Sequence, residues 1–156
     1  MKNIIHPAAA VIATLCIATF FTSTILVELL GSDESIATVK NLIVMPGLFI
    51  LVPAIAVTGG TGFTLSKNRK GRLVETKKKR MPFIGANGLL VLLPAAIFLD
   101  QWAMSGTFDT RFYIVQGLEL IAGTTNLTLM SLNIRDGLKM TGKRRSKVVA
   151  SINKQE

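Results

Sequence analysis

Residues 112–134 read FYIVQGLELIAGTTNLTLMSLNI, twenty-three positions with one charged side chain, Glu119. Within them Gln116, Glu119, Gly123, Asn126, Met130 and Asn133 follow one another at spacings of 3, 4, 3, 4 and 3. That rhythm puts them on one stripe of an α-helix, repeating every 3.5 residues. The stripe gathers nearly all the strongly polar side chains of the segment. The positions between are largely Leu, Ile, Val, Ala and Thr, suited to lipid or to neighbouring helices. A glutamate left alone and charged in hydrocarbon costs several kcal/mol, so Glu119 is expected to face the interior of a bundle, with a partner or neutral. Lys40 and Arg111 enter from the same end and are the candidate partners.

Outward from this segment the chain repeats the pattern. Residues 4–27, 41–66 and 81–99 contain no Asp, Glu, Lys or Arg. A helix of about 20 apolar residues crosses the hydrocarbon core of a bilayer. The whole chain is 49% apolar and 17% charged, with a mean hydropathy of +0.48, and its charges are collected between these runs. The expected fold is an all-α integral membrane protein: an up-down bundle of four transmembrane helices at about 7–30, 41–66, 81–104 and 111–134, then a basic tail, 135–156. The first run is longer than a signal-peptide core and has no small-x-small site before Glu28, so it reads as a mature helix. Cys16 is the only cysteine, which excludes an intrachain disulfide.

The net charge of +9 sits in two places. Residues 67–80, KNRKGRLVETKKKR, hold eight basic residues and one acid; from Arg135 onward there are seven more basic residues. Lysine and arginine in short loops stay on the cytoplasmic side, and an up-down four-helix chain puts both segments there. Glu28, Asp33, Glu34, Asp100 and Asp109 fall on the other side. Both termini are therefore expected in the cytoplasm, with the chain a multi-pass protein of the bacterial inner membrane. No aromatic residue interleaves the basic ones of 67–80, which argues against nucleic acid and leaves membrane lipid as the contact.

His6 is the only histidine. Pro7 favours the first helical position and pushes the residue before it out of the α region, so His6 is expected as a cap at the cytoplasmic end. There the helix dipole disfavours its protonated form, and a neutral imidazole is the form that ligates iron. Near the same end lie Gly59, Gly60 and Gly62 on the second helix and Gly85, Asn87 and Gly88 on the third. Glycines let a helix or a flat ligand approach the backbone. The cluster VTGGTGF lacks the lysine–serine ending and preceding strand of a phosphate loop. With Met130 at comparable depth and Arg69, Arg80 and Arg135 at the basic rim, the set is a candidate site for haem b: His6 as metal ligand, Met130 or a second subunit's histidine opposite, the arginines on the propionates. Pro46 and Pro53 are expected to kink the second helix. No nucleophile–base or clustered metal-ligand arrangement suggests an enzyme.

The stretches HPAAAVIATL (6–15), KKKRMPFIGANGLLVLLPAAIF (77–98) and FDTRFYIVQGLELIAGTTNLTLMSLNIRDGLK (108–139) resemble small four-helix bacterial inner-membrane proteins, over most of the chain. The layout is also loosely similar to four-helix membrane b-type cytochromes. Those carry several inward histidines; one histidine here places bis-histidine ligation within one subunit out of reach. Three functions stay open: a homodimer binding haem b for electron transfer or haem handling, a cofactor-free accessory subunit of a larger membrane complex, and a small proton-coupled transporter using Glu119.

Overall fold

The computed structural model describes residues 2–66 and 71–152, all in helices and short connections, with no strand among them. Helix α1 is Lys2–Leu30; α2, Asp33–Leu42, passes through a kinked segment, Ile43–Leu48, into α3, Phe49–Ser66. Helix α4, Arg72–Asn87, passes through a π-helical segment, Gly88–Leu92, into α5, Leu93–Met104, and α6 is Thr110–Ile152. Three stretches, Ile4–Leu30, Asp33–Leu65 and Arg72–Met104, are long and apolar enough to cross a membrane. Large apolar side chains such as Leu15, Phe49, Leu90 and Ile121 point outward. That arrangement suits a hydrocarbon surround, where apolar surface needs no burial and the backbone must satisfy itself within helices.

Local chemistry sets the boundaries. Ser32 caps α2, its Oγ accepting from the Ser35 amide, with Asp33 and Glu34 in the first turn where the dipole favours acids. Asp109 does the same for α6, accepting from the amides of Arg111 and Phe112 at 3.0 and 3.1 Å. Met45, ahead of Pro46, leaves the helical region (φ −129°, ψ 108°) and bends the second span; Pro53 lies inside α3. Gly47 lets this bend close on α1: a Cβ there would stand 2.6 Å from Phe20 Cζ.

The helices overrun the expected limits. Helix α1 begins at Lys2, so His6 lies within it and not at its cap, and the dipole argument for a neutral ring loses its geometry. The second span begins at Asp33, the third at Arg72, and α6 carries the expected tail onward as helix to Ile152; 153–156 lie outside the described residues.

Helix α1 packs along α3, α2 against α5, and α6 against α1, α4 and α5. Two buried apolar clusters result: Ala13, Ile17, Leu51 and Met130, and Ile36, Leu99, Ala103 and Phe112. Along both α6 and the second span, the polar residues described next fall between those clusters.

Candidate functional site

Two turns after its cap, α2 carries Lys40 into the bundle, where the side chain is 1% exposed. Its ammonium stands 2.7 Å from Glu119 Oε2 on α6. Gln116 Nε2, one turn earlier on α6, donates to the same oxygen at 3.2 Å. Asn41 Nδ2, next to Lys40, donates to Asp100 Oδ1 of α5 at 3.3 Å. Arg111, the other candidate partner for Glu119, is exposed. Burying one charge alone is prohibitive; the ion pair with an added hydrogen bond makes it tenable.

A second carboxylate lies in the neighbourhood. Glu28, near the end of α1, lies within electrostatic reach of both Lys40 and Glu119. Its Oε1 is buried and accepts no hydrogen bond from the described residues, and neither does Gln116 Oε1. One lysine is thus set against two glutamates from different helices, with acceptor capacity left over. Such a group can hold or exchange a proton without taking bare charge into hydrocarbon.

Further along the polar stripe, Asn126 is fully buried. Asn87 Nδ2 donates to Asn126 Oδ1 and to the Ala122 carbonyl, both at 2.9 Å, while Asn126 Nδ2 reaches the Ile84 carbonyl at 3.4 Å. This pairing locks α4 to α6. Beside it lies a cavity of about 130 Å³. Its walls are apolar, with Phe20 and Phe21 from α1, Leu51 from α3 and Leu92 from the third span; Glu119 and Asn126 are its main polar features. Gly85 and Gly88 line it as well, and a Cβ at Gly85 would meet nothing within 4 Å.

The residues assigned to haem are spread over several places. His6 Nδ1 stands 3.2 Å from the Thr58 carbonyl and 3.1 Å from Thr61 Oγ1. The Thr61 hydroxyl donates to the Val57 carbonyl, so Nδ1 is the ring nitrogen that carries hydrogen towards Thr58 and Thr61. The gap left by Gly62 is filled: a Cβ there would stand 2.5 Å from Met81 Cε and 3.0 Å from His6 Cε1. Gly59 and Gly60 are exposed and face open space. Met130 is packed among Ala13, Ile17 and Leu51. Among the described residues no three His, Cys, Asp or Glu side chains gather where they could hold a metal. Arg69 lies outside the described residues.

Arg80 and Arg135 are occupied by a residue the sequence reading passed over. Asp136 Oδ2 accepts from Arg80 Nη1 at 2.9 Å, and Oδ1 stands 3.4 Å from Arg135. Burial alone would raise the Asp136 carboxyl, but hydrogen bonds and charge from Arg80 and Arg135 outweigh it and hold the group below the ordinary carboxylate value. The available signal was one acid between two basic helix ends. Phe20 and Phe21 carried no signal, since any apolar helix contains such residues.

Comparison with protein-family models, with curated proteins and with solved structures finds no match to this chain.

Proposed function

We propose that this protein is a small proton-coupled membrane protein, a four-span up-down bundle of the bacterial inner membrane with both ends in the cytoplasm, working through Glu119, Glu28 and Lys40. The observation that carries the reading is a fully buried lysine bound to one glutamate while a second glutamate, with a buried oxygen accepting no bond from the described residues, lies within its field. Lys40 comes from α2, Glu119 from α6 and Glu28 from α1; the acid on α5, Asp100, is taken up by Asn41. Lys40 can balance one carboxylate at a time, so the other is stable there only with a proton or a cation. Cargo movement is then tied to proton movement by the site's own charge balance.

Purified protein in liposomes under a pH gradient, with an interior pH dye, tests this. Proton flux is expected in the native chain and is abolished in Glu119→Gln that still elutes as native protein; full flux in that variant overturns the reading. A second reading keeps His6 as a haem b ligand, supported by the Nδ1 contact to the Thr58 carbonyl, the kind of bond that fixes the tautomer of a ligating imidazole. On that reading the same preparation, supplemented with haem, gains a Soret band that His6→Ala loses; no band, or an unchanged one, eliminates it.

A further inference from the structure

We infer that the cavity beside Glu119 binds a small lipophilic monocation, a body of about one aromatic ring carrying an ammonium group. Three independent features converge on this volume. The first is size and lining. About 130 Å³ of apolar space is close to the roughly 150 Å³ cavity that accommodates a benzene ring.

The second is charge. When all are ionised, Glu28 and Glu119 outnumber Lys40 by one; Glu119 stands in the cavity wall, and Glu28, which does not line it, lies within electrostatic reach of Glu119 and Lys40. A monovalent cation neutralises that excess as a proton does. Phe20 and Phe21 line the same space, and aromatic faces attract a desolvated ammonium. Gly123 lets Phe21 lie against α6, where a Cβ would stand 3.2 Å from its ring.

The third is backbone geometry. The kink within Ile43–Leu48 and the π-helical segment Gly88–Leu92 both border the cavity: Ile43 and Leu48 flank the first, and Gly88, Leu89 and Leu92 come from the second. Single π-helical turns such as the second concentrate at functional sites. Val52 and Leu89 line the cavity yet are exposed on the outer surface, so its mouth opens between the second and third spans, where a ligand dissolved in lipid arrives.

The inference rests on the proton-coupled reading of these carboxylates: an entering cation displaces one proton from the Glu28–Glu119 group, leaving the site's charge unchanged. The two fail separately, because equilibrium binding needs no flux. Radiolabelled benzyltrimethylammonium is titrated into the full chain in phosphatidylcholine nanodiscs, with neopentylbenzene, its neutral isostere, as competitor. Saturable binding is expected, with the isostere weaker by about tenfold or more. Gly85→Leu, which fills the cavity from a position with open space, weakens cation binding about tenfold or more with unchanged elution and melting. Glu119→Gln removes the preference for the charged probe. Absence of saturable binding, equal affinity for probe and isostere, or native binding in Gly85→Leu overturns the inference, whatever the flux measurement gives.

Discussion

At the scale of single residues, Asp136 separates the effect of a charge from the effect of its neighbours. It lies beyond the segment read as the fourth span and ties α6 to α4 through Arg80, with Arg135 beside it. Its carboxyl is held below the 3.8 of a free aspartate, so the folded protein prefers it ionised more strongly than the unfolded chain does. That preference stabilises the fold at every pH above the unfolded value and fades as pH falls through the lower folded value. Asp136→Asn is therefore expected to melt below the native protein from pH 8 down to pH 5, by an amount nearly constant over that range. The gap narrows as pH falls through 3.8, where the carboxyl of the unfolded chain takes up a proton, towards the lower value at which the folded one does. Thermal melts of both proteins in one detergent across that range measure it; a gap closing near pH 6 assigns the effect to another group.

At the scale of elements, α6 is a helix whose polar stripe docks it. Asn126 has no exposure, and its partner Asn87 comes from the third span. In membranes such side-chain bonds contribute less than hydrocarbon burial suggests, because the separated helices find other partners. A double-mutant cycle of Asn87→Ala and Asn126→Ala, followed by unfolding in mixed micelles, is expected to give a coupling energy of about 0.6 kcal/mol and below about 1.7 kcal/mol. A coupling near zero means that the two amides do not act together. The docking face itself was legible: polar residues at helical spacing in an apolar run can only point away from lipid, and Gln116, Gly123, Asn126 and Met130 are buried. Of the two candidate partners for Glu119, Lys40 is the one that pairs with it, because α2 begins at Asp33 and carries it inside. Less legible was what neighbouring helices insert elsewhere. The glycines near His6 look like room for a ligand, but Met81 from α4 fills Gly62, and sequence spacing does not reveal which side chain a neighbouring helix will insert.

At the scale of the whole molecule, the question is how the helices lie across the bilayer, and α6 is the test. Three helical stretches pass on length and apolarity alone. Helix α6 has 43 residues, about 65 Å at 1.5 Å per residue, twice the hydrocarbon thickness. Its middle is diluted by the polar stripe, whose members are mostly covered by α1, α4 and α5 and so are not presented to lipid. What faces outward is apolar: Ile114, Leu118 and Ile121 are all exposed. For a helix inside a bundle the outward face decides compatibility with lipid, so α6 is expected to cross, with its basic continuation emerging on the side of the 67–80 segment. Single cysteines placed in a Cys16→Ala background at the exposed positions Ser105, Lys78 and Gly142 settle this with a membrane-impermeant maleimide on spheroplasts. Ser105→Cys is expected to label from outside, and Lys78→Cys and Gly142→Cys only after lysis. Labelling of Gly142→Cys together with Ser105→Cys leaves α6 uncrossed and opens the polar stripe to water. Labelling of Lys78→Cys from outside reverses the orientation and puts Lys40 and Glu119 at the cytoplasmic end of the bundle.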